Sequence, residues 1–485
     1  MAPQPFDLWP APSLPPRYSP SRLPGITPDS TSKLRELLRK NHEQWHIFYD
    51  GEGRHNHISH HLLASWSLGA DKEVLQAGYN LHSQLQRPLK EFQPGEVITK
   101  ETFYDHLGER SYYQAYADFF TLEVEKNGGF TVLEEYVFSD KVNFGTTNKE
   151  GEHPVMLGRF MGGLLHPIIH VGYGAEFSLP GMFIEGLAQI AVTSAPKALI
   201  LPQSLFTSSS STAEPLHALT ILARVLQDER FDIKLGNGFA TVTTDVRASC
   251  GSAPVEYATA WLPDAEPSSE LVQRKIDEIQ WTVTIICTIS GFKKGQEYTA
   301  DFIAMHLVTS SLFVQSLVPS LSPASQALFL RSYFAVCLTT WATLGRPSLD
   351  IMGYFAADIA HPLPTQSLSP PSPSKFVLPS PNSIVSVNPN PWLSIIQRSI
   401  VHPDDHVVKF QRALYHYASK FGPTPAGYFA NTELPDADQL DGTLFVRAAE
   451  LTIKKLGREI DELPKNFTFW DRTTFRPEGA SGNLY

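Results

Sequence analysis

Four histidines, His55, His57, His60 and His61, fall within the stretch RHNHISHHLLASWSL at positions 54–68. Imidazole nitrogen is a ligand that borderline divalent metals such as iron, zinc or copper accept, so this cluster points first to metal chemistry. On a helix of 3.6 residues per turn His57, His60, His61, Ala64 and Leu68 share a face, while Leu62, Leu63 and Trp66 anchor the opposite one. A second pair, His166 and His170, repeats the i, i+4 spacing inside the apolar run LGRFMGGLLHPIIHVGYGAEF. Each buried imidazole must satisfy two ring nitrogens, and two on one apolar face are harder to explain as incidental core residues than one. His306 stands alone in DFIAMHLVTSS, where a core histidine is the plainer reading until the two pairs offer it partners. The stretch HPDDHVVKFQRALYHY, which begins at His402, places His406 and Lys409 three apart behind Asp404 and Asp405. The two aspartates read as a helix cap, and the plain reading of Lys409 is a snorkelling surface lysine. Glu176 and Glu185 are the acids in the second block and could orient a histidine from behind. The residues that point to a metal are His57, His61, His166, His170 and His306, with His60 and His406 as alternates. No substrate-binding residue is assigned.

The elements that must position these groups are helices. Leu34, Leu37, Leu38 and Trp45 recur at helical spacing after the capping candidates Asp29, Ser30 and Thr31, predicting a first helix that reaches Phe48. The histidine helix follows a turn at 50–53 and stops near Gly69, and another helix begins at Asp71. Pro167 marks a helix start at His166, because proline is tolerated in a first turn. Tyr113, Tyr116, Phe119 and Phe120 repeat at a spacing that suits a core face. Residues 1–30, rich in Pro and Ser, read as an extended arm, and the rest, 31–485, as one mainly α, multi-helix domain with Pro/Ser-rich loop insertions near 203–215 and 362–391. A short β-ribbon is expected at 238–246, where GFATVTTDV alternates apolar and polar residues.

Composition narrows the classes. With 485 residues, 42% of them hydrophobic, the chain can bury a large core. A net charge of −11 without a basic block argues against nucleic acid as a partner. Three scattered cysteines fit a reducing compartment, and the absence of a signal-like N-terminus or a long apolar run predicts a cytoplasmic protein with no membrane partner. GYGAEF lacks the third glycine of a dinucleotide fingerprint, and no strand precedes it.

Taken together, HNHISHHLLASWSLGA, GGLLHPIIHVGYGAEF, DFIAMHLVTSS and HPDDHVVKFQRALY resemble, in that order, the questin oxidase-like family of fungal secondary metabolism, over roughly residues 45–420. The Ser- and Pro-rich insertions depart from the family's compact pattern. The resemblance implies an O2-dependent oxidoreductase that opens a ring of an anthraquinone-like polyketide, by Baeyer-Villiger-type insertion or by dioxygenation, with NADPH as a family-implied donor. A non-heme ferrous iron is the expected oxygen-handling group, since no flavin or nicotinamide fingerprint is present. Histidines alone bring no negative charge. Lys409 would supply it as a carbamate formed with CO2, which the family also suggests, so His57, His306 and Lys409 are the expected catalytic set and Lys409 joins the metal ligands. The competing classes are a zinc hydrolase with histidines and a carbamylated lysine, and a helical scaffold whose histidines are satisfied in the core.

Overall fold

The computed structural model describes residues 6–13, 19–89, 96–147, 152–197, 199–206, 213–233, 239–357, 359, 375–456 and 469–471. Among these residues the architecture is all helical, a single domain whose only extended pairings are three isolated bridges. The helices that position the site are α1 (Pro28–Gln44), α2 (Ile58–Ser67), α3 (Lys72–Ser83), α4 (Tyr113–Asn127), α5 (His166–Phe177), α6 (Pro180–Val192), α7 (Phe239–Cys250), α8 (Ser269–Thr284), α9 (Phe302–Leu317), α10 (Pro323–Thr343), α11 (Asp405–Phe421) and α12 (Leu444–Leu456).

Local signals set many of their ends. Thr27 caps α1, accepting from the Ser30 amide in a reciprocal capping box, so the helix begins and ends a few residues before the predicted span. Asp71 caps α3 through the Val74 amide, and Asp404 caps α11 through the His406 amide. Gly69 follows α2 with φ of 91°, the left-handed residue that closes a helix. Residues 239–250 form α7 instead of the expected β-ribbon. In that window Phe239, Val242 and Val246 also fall at i, i+3 and i+7, so a nine-residue alternation could not exclude the helical period. Of the predicted loops and arm, 1–5, 14–18, 207–212 and 362–374 lie outside the described residues. Residues near 203 include a short helix, Gln203–Phe206. The described part of the arm rests on the body: Trp9 is buried, its carbonyl accepts from Arg35, and Gly181 donates to Leu8.

The core is layered around α9, where nearly every side chain is buried. It packs against α5, α8 and α11, while α5 packs on α6 and α2 on α1, α3 and α11. Gly172 lets α5 approach α9 closely: a Cβ there would lie 2.4 Å from the Phe313 Cβ. A fully buried ion pair, Arg412 with Glu176, ties α11 to α5, so Glu176 is engaged with arginine and not with a histidine. The aromatic stripe of α4 packs with Phe103 and Tyr136, as a core face should.

Burial of histidines outside the site makes the fold sensitive to acid. Burial pushes His46 down to about 4 from the ordinary 6.5. Burial, then the charges of Lys420 and Arg412, push His416 down to about 3. Both are neutral in the fold at pH 7, and the unfolded chain takes up their protons first, so stability falls as pH drops below 6.5 toward these values and is indifferent to them above it. The denaturant midpoint should decline between pH 6.5 and 4.5. In His416→Gln, which retains an amide for Gln315, the decline should be shallower; an unchanged slope would contradict the assignment.

Candidate metal centre

Four imidazoles from four separate chain segments close into a ring. His57 stacks on His166 with centroids 4.7 Å apart, His166 meets His306 at 4.9 Å, His306 meets His406 at 5.4 Å, and His406 returns to His57 at 4.8 Å. Each supporting element delivers its ring for a local reason. His57 is the cap residue of α2, with φ of −103° and ψ of 4°, outside the helix proper. His166 opens α5, His306 sits in the first turn and a half of α9, and His406 follows the Asp404 cap of α11.

In every ring Nδ1 is engaged and Nε2 is bare. His166 Nδ1 donates to the Gly163 carbonyl at 2.6 Å, His306 Nδ1 to the Phe302 carbonyl at 2.7 Å, and His406 Nδ1 to Asp404 at 3.0 Å. His57 Nδ1 stands 2.9 Å from Asp405 Oδ2, which also lies 2.8 Å from Lys409 Nζ. The four Nε2 atoms are buried without a hydrogen-bond partner. A carboxylate or carbonyl behind Nδ1 with Nε2 facing forward is the arrangement in which histidine ligates a metal. One ligand atom from each of His57, His166 and His406 lies within 4.8 Å of the others. Burial, then the Lys409 charge, hold His57 down at about 3, and burial above all holds His166 and His306 well below the usual imidazole value. These three are therefore neutral, the form that donates a lone pair. Burial alone would raise the Asp405 carboxyl, but His406, Lys409 and His57 hold it well below the usual range, so it is an anion.

The ring lies at the wall of a cavity of about 740 Å³, within the small-molecule range of about 300–1,000 Å³. Phe48, Phe302, Phe469 and Trp470 also line it, with Arg54, Arg110 and Lys197 among the polar lining residues. His55 stacks on His166 at 4.2 Å and adds another bare Nε2.

Of the residues singled out from sequence, the structure brings together His57, His166 and His306, with Lys409 reaching them beside Asp405. It does not bring in His61 or His170. The His61 ring lies against Gly78 and His82 of α3. His170 is bonded to His60 at 2.9 Å and Glu185 at 2.8 Å. The reason is that α2 is buried on all sides, so face counting had no solvent side to orient it, and His57 lies outside the helix, off the face that carries His61. His406, held as an alternate, completes the ring. Lys409 is buried and does not snorkel, and Asp405 contacts His57 in addition to standing at the helix start. The sequence signal for Asp405 was the doubled acid immediately before His406, of which one sufficed as cap. Nothing in the sequence pointed to Phe469 and Trp470.

The Gly163 carbonyl that orients His166 belongs to a left-handed turn, with φ of 55°, 52° and 63° at Gly163, Leu164 and Leu165. A Cβ on Gly163 would lie 3.3 Å from His55 Cε1. Gly163→Ala is expected to cost about 1–2 kcal/mol from the backbone alone, read as a lower denaturant midpoint; an unchanged midpoint would remove the strain argument.

The questin oxidase-like family matches residues 54–414, which include all four histidines of the ring, Asp405 and Lys409. Oxidoreductase AflY of Aspergillus parasiticus is 27% identical over 399 residues, 79% of this chain and 72% of its own. Questin oxidase of Aspergillus fumigatus is 26% identical over 465 residues, covering 92% and 94%. Baeyer-Villiger monooxygenase AacuH of Aspergillus aculeatus is 23% identical over 420 residues, covering 81% and 80%. The chain belongs to the questin oxidase-like family and is an oxidoreductase.

Proposed function

We propose that the protein uses O2 to open a ring of an anthraquinone-like aromatic polyketide, by Baeyer-Villiger-type insertion of one oxygen atom beside a ring carbonyl. The observation that carries this reading is the ring of bare Nε2 atoms at the wall of an aromatic-lined cavity. The names of the relatives, questin oxidase and Baeyer-Villiger monooxygenase, support the substrate class and the reaction type. The overall balance is ring ketone plus O2, two electrons and two protons giving lactone and water, with a dihydronicotinamide such as NADPH as electron source; addition of water across the lactone ester then opens the ring to a hydroxy acid.

Imidazoles anchored at Nδ1 fit a ferrous ion, and His57, His166, His306 and His406 would hold it through Nε2. Iron bound there would supply oxygen activation. Lys409, as a carbamate, would add the anionic oxygen that four imidazole ligands do not bring, and its nitrogen would keep one N–H to face Asp405. Asp405 itself is the other source of negative charge at this point. Asp404 holds the His406 ring, and the carbonyls of Gly163 and Phe302 hold His166 and His306. Phe48, Phe302 and Trp470 offer ring faces on which a planar polycycle can stack, and their apolar wall excludes water from the reacting carbonyl.

Elemental analysis should find about one equivalent of iron per chain, a loading sustained by tight site affinity. His57→Ala or His306→Ala should lose most of it with the helical circular dichroism intact; wild-type iron in both variants would sink the site. Zinc in place of iron, without oxygen uptake, would favour the hydrolase. Asp404→Ala should weaken metal binding about 10–100-fold by freeing His406.

Lys409→Ala should lose metal or activity, and a short carboxylic acid should restore part of it. Full activity without an additive would exclude the carbamate and leave Asp405 as the anion. With 18O2 and an anthraquinone, one labelled atom in the product is expected; two would convert the proposal to dioxygenation, and no oxygen uptake across a broad anthraquinone panel would overturn the substrate class.

A further inference from the structure

One stretch of the cavity wall is polar and takes no part in the metal chemistry. His82, in the last turn of α3, and Gln86, just past the end of that helix, both line the cavity beside Leu85. His82 is 8% exposed, and its Nε2 is buried without a hydrogen-bond partner. Gln86 Oε1 is buried and unpartnered as well.

Both groups are held from behind. Gln86 Nε2 donates to the His82 carbonyl at 3.0 Å. Only the NH2 end of an amide can bond a carbonyl, so this contact fixes which end of Gln86 is the oxygen and turns that oxygen away from the helix end. The following backbone is tied down too: the Arg87 carbonyl accepts from the His46 amide at 2.9 Å, and Pro88 pairs with Trp45 in a bridge. Burial lowers the His82 imidazole below its ordinary value, so at pH 7 the ring is neutral, with a proton on one nitrogen and a lone pair on the other. The His61 ring lies 4.8 Å away and does not bond His82 Nε2.

We propose that His82 and Gln86 form a subsite for a free phenolic hydroxyl of the aromatic substrate, the hydroxyl donating to Gln86 Oε1 and accepting from the Nε2 proton of His82. A hydroxyl can donate and accept at one atom, whereas a ring carbonyl or a methyl ether can only accept and would leave Gln86 Oε1 unmet. An acceptor with no donor inside a closed cavity is costly, so a pair of this kind discriminates against a ligand that lacks the hydroxyl more sharply than an apolar wall can. The aromatic rings elsewhere in the lining bind any flat polycycle alike, and the pair adds the preference among them. This role rests on the aromatic-substrate reading and narrows it to phenols.

The test uses full-length, iron-loaded protein without oxygen, so that binding is read in the absence of turnover. Equilibrium dialysis compares a monohydroxyanthraquinone with anthraquinone, and naphthol with naphthalene. In wild type the hydroxyl should tighten binding by about tenfold in each pair. Gln86→Leu and His82→Phe should each bring both pairs to within about twofold, with the Kd of the hydroxyl-free compound and the iron content unchanged. Equal affinity within each pair in wild type, as a water that fills the subsite would give, overturns the proposal. A preference that survives both substitutions overturns it as well, and so does failure of both hydroxylated compounds to bind. The naphthalene pair separates this proposal from the reading it rests on: a hydroxyl preference for naphthol, lost in the two variants, with neither anthraquinone bound, removes the anthraquinone class and leaves the subsite standing.

Discussion

A buried imidazole has two nitrogens and only one of them can be satisfied cheaply by a nearby carbonyl or carboxylate. The site depends on that asymmetry. In His57, His166, His306 and His406 the Nδ1 side is occupied by Asp405, the Gly163 and Phe302 carbonyls, and Asp404. Each anchor fixes a ring plane and a tautomer, so the remaining lone pairs converge with little rotameric freedom. The left-handed turn before α5 and the doubled aspartate before α11 exist at the points where an ordinary helix start would leave the ring unanchored.

The same core shows the other way to solve the problem. His60 bonds to His170 and His170 to Glu185, so within the same packed layers one set of histidines bonds within itself and another is left open. His60 and His57 are neighbours in sequence, yet they belong to different networks, because one precedes the helix and the other lies within it. Charge separates them too. The aspartates and Lys409 gather at the N-terminus of α11, while Glu185 of α6 serves His170.

Much of the fold was legible in the chain. The Asp404 cap, the glycine after α2, Pro167, the helix start at Asp71 and the apolar periods of α1 and α4 each have a local cause that acts the same way in the folded protein, whereas the cap of α1 is Thr27 and not Asp29, Ser30 or Thr31. The 238–246 alternation misled because a short apolar pattern can satisfy two periods. The identity of the histidine segments was legible for the same local reasons, but the assignment within each was not. Face arguments need a solvent side, and α2 and α5 have none. His61 was drawn toward α3 by a gap over Gly78 that only tertiary packing creates. Asp405 was hidden by its neighbour, since a cap requires one acid and the sequence offers two. Phe469 and Trp470 stand beside Asp471, whose backbone bonds to Ala300 and Phe302, a contact with no periodic signature.

The four rings arrive from one segment near the beginning of the chain, two from its middle and one from near its end. No contiguous fragment shorter than most of the domain contains them all, so the donor set cannot exist on a partly made chain. Local metal-binding motifs can capture an ion while the rest of a polypeptide is still disordered; the four-ring cluster assembles only when α11 has docked. On the proposed metal reading, an ion held by all four rings would report completed tertiary structure, since a chain that stops before α11 lacks His406, Asp405 and Lys409.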